Sequence, residues 1–126
     1  MTGVGRVKFA IDHGSATAPF EQLRVQIVAA VRSGDLIAGS KLPTVRALAD
    51  TLSLAPNTVA KTYRELEKDG VIETRGRSGT FVAAGGDPSA GAVQLAATAY
   101  VKAARRAGID DDVAMRYVRS ALRELG

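Results

Sequence analysis

A chain of 126 residues, 46% of them hydrophobic, can bury one real core and carry a short appendage. It has no cysteine, which excludes a disulfide framework and a thiolate metal site. No apolar run reaches the roughly 18 residues of a membrane span and the N-terminus has no signal-peptide h-region; the lack of cysteine fits the cytoplasm, the expected setting. The net charge of +4 leans toward an anionic partner, but basic and acidic groups are spread along the whole length. Charge alone does not single out nucleic acid.

Val7, Phe9 and Ile11 alternate with polar or small residues and predict a short strand. His13 to Ala18 is a loop of small residues. Pro19 opens a helix in which Phe20, Leu23, Ile27, Ala30 and Val31 form one buried stripe, ending near Gly34. Ala38 to Leu42 is too short for a helix and suits a strand that joins the sheet of residues 71–82. Thr44 is placed to cap the next helix, whose apolar stripe is Val45, Leu48, Ala49 and Leu52. Ser53-Leu54-Ala55 makes a tight turn, and Pro56 starts a second helix at a position where a missing N–H costs nothing. Two helices joined so closely form a helix-turn-helix unit.

In the second of these helices Val59, Tyr63 and Leu66 share one face, while Asn57, Lys61, Arg64 and Lys68 occupy the other. Gly70 ends it. Val71 to Val82 then reads as two short strands around a loop holding Arg75, Gly76, Arg77 and Gly79. Donors along an outer helix face beside a basic hairpin suit a groove of double-stranded DNA and its phosphates. A winged helix over residues 1–82 is the fold this predicts.

Ala83 to Gly91 is a linker of small residues. Beyond it, residues 92–126 predict two helices, Ala92–Ala107 and Asp111–Leu125, the second capped by Asp110. The whole is α+β, a winged helix-turn-helix followed by an antiparallel helical hairpin. The hairpin's apolar stripes are too broad for two helices to cover. Leu95, Ala99, Tyr100, Val113, Tyr117, Val118 and Leu122 are therefore expected to meet another copy or the first domain.

The residues closely resemble the GntR family of bacterial transcriptional regulators. The likeness runs through PFEQLRVQI (19–27), LPTVRALADTL (42–52), PNTVAKTYRELEKDGVIETR (56–75) and GTFV (79–82), in order and spacing. The short two-helix tail resembles the YtrA subfamily. The resemblance implies a homodimeric repressor on a roughly palindromic operator. Larger members of the family bind a metabolite in a sizeable C-terminal domain, which here is only a hairpin. A small-molecule effector of unspecified identity would therefore act from the dimer interface and not from a pocket inside one protomer. The resemblance also implies DNA contact by Arg46, by Asn57, Thr58 and Lys61, and by Gly76 and Arg77 at the wing tip. Thr44, Arg64 and Arg75 complete the expected set. Many relatives carry Arg where this chain has Pro56 and Ala60, so their base preference does not transfer.

Plainer alternatives stand beside these roles. The polar stripe of residues 57–68 could be a solvated face, Arg46 could pair with Asp50, and the fold could serve protein interaction without specific DNA binding. His13, the single histidine, has no partner for a metal site. No nucleophile–base set and no phosphate-binding glycine loop is present, so neither an enzyme nor a cofactor is expected.

Overall fold

The computed structural model describes residues 8–84 and 88–126. The first helix, α1, runs Pro19–Ser33 and stops at Gly34, whose φ of 84° places it in the left-handed region. Leu23 and Ile27 of its stripe are fully buried. In α2, Val45–Leu52, the Thr44 Oγ1 accepts the Ala47 N–H at 3.1 Å, which makes Thr44 the expected cap. Ala55, before α3 at Pro56–Lys68, offers no side-chain cap.

Between α2 and α3, Ser53 takes φ 55°. It is the one non-glycine with positive φ among the described residues. A side chain in that region costs about 1–2 kcal/mol, offset in part by the greater unfolded-state entropy of glycine. Ser53→Gly is therefore expected to raise stability by roughly 0.5–1 kcal/mol, read as a higher denaturant midpoint at unchanged slope.

The wing is a two-stranded antiparallel sheet, β1 (Ile72–Thr74) and β2 (Thr80–Val82), with Ile72 opposite Val82 and Thr74 opposite Thr80. Gly76–Ser78 forms a single 3-10 turn at its tip. The 38–42 segment adds only an isolated bridge, Lys41 to Phe81, flanked by Leu42 N–H to Thr80 O at 2.8 Å and Gly39 N–H to Val82 O at 2.9 Å. Leu36, Leu42, Leu48, Val59, Leu66, Ile72 and Val82 close the core between helices and wing.

The strand expected at the N-terminus is absent over its described part; Val7 lies outside the described residues. Phe9 is buried, but the backbone of Ala10 pairs with the side-chain amide of Gln26, at 3.0 Å and 2.7 Å. Gln22 serves Asp12 in the same way. Two glutamines on α1 supply what a partner strand would have supplied.

The tail forms α4 (Pro88–Arg106) and α5 (Asp111–Leu125), with Asp110 capping α5 through Val113 N–H at 3.0 Å. Helix α4 begins four residues before the expected Ala92, so Gly91 lies within it rather than in a linker. A methyl at Gly91 would stand 2.9 Å from the Ala84 carbonyl oxygen, so glycine is what lets the chain pass this close. Gly85 and Gly86 lie outside the described residues. The hairpin does meet the winged helix: Gln94 Oε1 accepts the Ala38 N–H at 2.9 Å, and Thr98 Oγ1 donates to the Ala38 carbonyl at 3.3 Å.

Candidate nucleic-acid interface

Two hydroxyls fix the pose of α3. Thr62, fully buried, donates to the carbonyls of Phe20 at 3.1 Å and Thr58 at 3.2 Å. The Tyr63 hydroxyl donates to the Pro43 carbonyl at 2.7 Å, just ahead of α2. Burial pushes the Tyr63 phenol well above its ordinary pKa, so it stays a neutral donor. With Val59, Tyr63 and Leu66 in the core, the opposite face is turned outward.

Asn57, Lys61 and Arg64 are exposed on that face and Thr58 is half-buried. The Lys61 Nζ lies 4.0 Å from the centroid of the Phe20 ring, a cation–π contact that holds the ammonium beside α3. Phe20, a member of the α1 apolar stripe, is only half-buried and supports Lys61. Arg46 is exposed on α2 and forms no ion pair with Asp50 among the described residues. Thr44 spends its oxygen lone pair on the α2 cap and keeps its O–H for another acceptor.

The wing separates two arginines that look equivalent in sequence. Arg75 lies over the Phe81 ring, 4.6 Å from its centroid, and bonds Glu73 at 3.3 Å. It braces the hairpin. Arg77 is exposed in the turn at the tip and forms no ion pair among the described residues. Gly76, at φ 51°, starts that turn. Lys41, outside the expected set, is brought beside the wing by its bridge to Phe81. Its signal was the expectation that residues 38–42 join the wing's sheet.

On the hairpin, Tyr100, Tyr117, Val118, Ala121, Leu122 and Leu125 surround an open apolar cavity of about 440 Å³. Tyr117 is 53% exposed, Leu122 67% and Leu125 88%. Tyr100 also donates to the Ala114 carbonyl at 2.7 Å, pinning α4 to α5. Leu95, Ala99 and Val113 do not line this cavity. Leu95 instead lies against Gly39, where a methyl would be 3.0 Å from its Cδ2. Among the described residues no group of three His, Cys, Asp or Glu could hold a metal, and no helix is long and apolar enough to cross a membrane.

Residues 19–82 match the model of the gntR family of bacterial regulatory proteins. The chain is 50% identical over 108 residues to the HTH-type transcriptional regulator Rv1152 of Mycobacterium tuberculosis, covering 86% of this chain and 88% of that protein. It is 43% identical over 72 residues to the HTH-type transcriptional repressor YtrA of Bacillus subtilis, covering 57% of this chain and 55% of that one. A solved structure of YtrA from Sulfolobus acidocaldarius, a GntR-family transcription factor, aligns at 36% identity and a TM-score of 0.55, over 58% of this chain and 77% of that chain. With relatives named as regulators and not as enzymes, and with the helix-turn-helix, wing and short helical tail in place, this chain belongs to the gntR family of helix-turn-helix transcriptional regulators.

Proposed function

We propose that the protein is a sequence-specific repressor that binds a two-fold-related site in double-stranded DNA as a homodimer. The observation that carries this is the division of α3. One face is locked into the core by Thr62 and Tyr63, the other presents Asn57, Lys61 and Arg64 to solvent, and Arg77 is exposed at the wing tip. A helix held that firmly, with short polar groups at its leading end, fits the major groove. Asn57 is the base reader, able to bond an adenine edge; Thr58, Lys61, Arg64, Arg46 and Thr44 meet phosphates. Arg77 and Gly76 approach the minor groove, where Arg is attracted by the negative potential. Arg75 acts through the wing it braces.

The exposed apolar face of α5 supports pairing with a second copy, which sets the separation of the two recognition helices. The repressor sense follows the name of the Bacillus YtrA relative. A small apolar effector entering the cavity beside Tyr117 and Leu122 would compete with the partner protomer, so induction would run through the dimer. The proposed setting is the cytoplasm.

The test begins by selecting bound sequences from random duplex DNA. Asn57→Ala is then expected to reduce the preference for the selected site over random duplex by about 1–3 kcal/mol, with much less effect on random binding. Equal losses on both DNAs would move Asn57 to phosphate positioning. No enriched sequence at all would overturn specific recognition.

A further inference from the structure

Lys41 is held in register with the wing by its bridge to Phe81 and by the adjacent Leu42 N–H to Thr80 O bond of 2.8 Å. Phe81 is also paired with Glu73 on its other side. Residues directly opposite one another share a face of a sheet, so Lys41, Phe81 and Glu73 stand in one row. The carboxylate of that row is already engaged by Arg75, whose guanidinium covers the Phe81 ring. Lys41 forms no ion pair among the described residues.

Its side chain runs toward the wing tip over Gly79. A methyl at Gly79 would stand 3.0 Å from Lys41 Cε and 3.7 Å from Nζ. Gly79 closes the tip turn, its N–H donating to Gly76 O at 3.4 Å. The ammonium therefore sits at the base of the turn that carries Arg77. An exposed lysine at the base of the tip turn, with the carboxylate of its row already bonded to Arg75, has no counter-ion among the described residues. An anion outside the protein would account for it. A lysine meets a phosphate as a point charge, without the fork geometry that reads a base.

From this geometry we infer that Lys41 is a phosphate-contacting residue, a cation of the wing supplied from outside the wing loop. The inference rests on the DNA-binding reading above and adds a residue to it.

The experiment measures binding of the full chain to mixed-sequence duplex DNA by fluorescence anisotropy across a salt series. Lys41→Gln is expected to reduce the slope of log K against log salt by about 1, the loss of one phosphate contact. It should weaken mixed-sequence and selected DNA by the same factor, and Lys41→Arg should restore both slope and affinity. An unchanged slope for Lys41→Gln, with Arg77→Ala still lowering it, overturns the Lys41 assignment and leaves the DNA reading standing. A melting midpoint that falls with Lys41→Gln, with binding not restored by Lys41→Arg, assigns Lys41 to wing stability and also overturns it. If the wild-type protein binds duplex DNA without salt dependence, the DNA reading itself fails.

Discussion

Leu122→Arg is expected to convert the protein to a monomer and to weaken binding to its selected DNA site by about 10²- to 10⁴-fold. Leu122 is 67% exposed in the single chain and sits with Tyr117, Val118 and Leu125 on one side of α5. Within one protomer the substitution removes little packing, so the melting behaviour of the isolated chain should barely change. In the proposed dimer the guanidinium would be buried among apolar side chains without a partner, a cost of several kcal/mol. Losing the second protomer removes the linked second half-site, which is where the large factor arises. Light scattering paired with a gel shift reads both effects. A Leu122→Arg protein that stays dimeric and binds as before would place the interface elsewhere. This substitution is a cleaner probe than deleting the hairpin, because deletion would also strip Gln94 and Thr98 from Ala38.

Leu66→Ala is expected to lower stability by about 2–5 kcal/mol, through lost transfer energy and the cavity left behind. Leu66 is fully buried on α3 in the cluster shared by α1, α2 and the wing. A domain of this size has only about 5–15 kcal/mol in total, so the loss is a large share of it. The denaturant midpoint should fall while the slope stays the same. DNA binding should survive in conditions where the variant is still folded, since Leu66 lies on the face turned from solvent. Loss of binding in a fully folded Leu66→Ala protein would mean that the outer face of α3 depends on the fine packing beneath it.

Helix starts were legible because their signals are local. Pro19, Thr44 and Pro56 act through their own backbone or a neighbour three residues away, and each stands where its chemistry suggested. The N-terminal strand was misread because alternation cannot tell a partner strand from glutamine side chains 10 or 16 residues away that bond the same backbone. The start of α4 was placed late because Gly91 looks like a linker glycine. Its reason is the nearness of Ala84, a contact between segments that no local pattern records. The polar face of α3 followed from periodicity alone. The difference between Arg75 and Arg77 did not, since it depends on which of them can reach Phe81 and Glu73 across the hairpin.

The clamp of Gln94 and Thr98 on Ala38 has a mechanical consequence. Ala38 leads directly into Gly39 and Ser40, whose backbones bond both the N–H and the carbonyl of Val82 in the wing. The tail is thus hydrogen-bonded to the same short stretch of backbone that steadies the wing, a joint through which a twist at one end should reach the other. For a dimer built on this joint, each base pair inserted at the centre of the operator shifts one half-site by about 3.4 Å and turns it by roughly a tenth of a helical turn. A slack tether would absorb that misalignment. A bolted one passes it to the wings, so the spacer between half-sites should be nearly invariant in length.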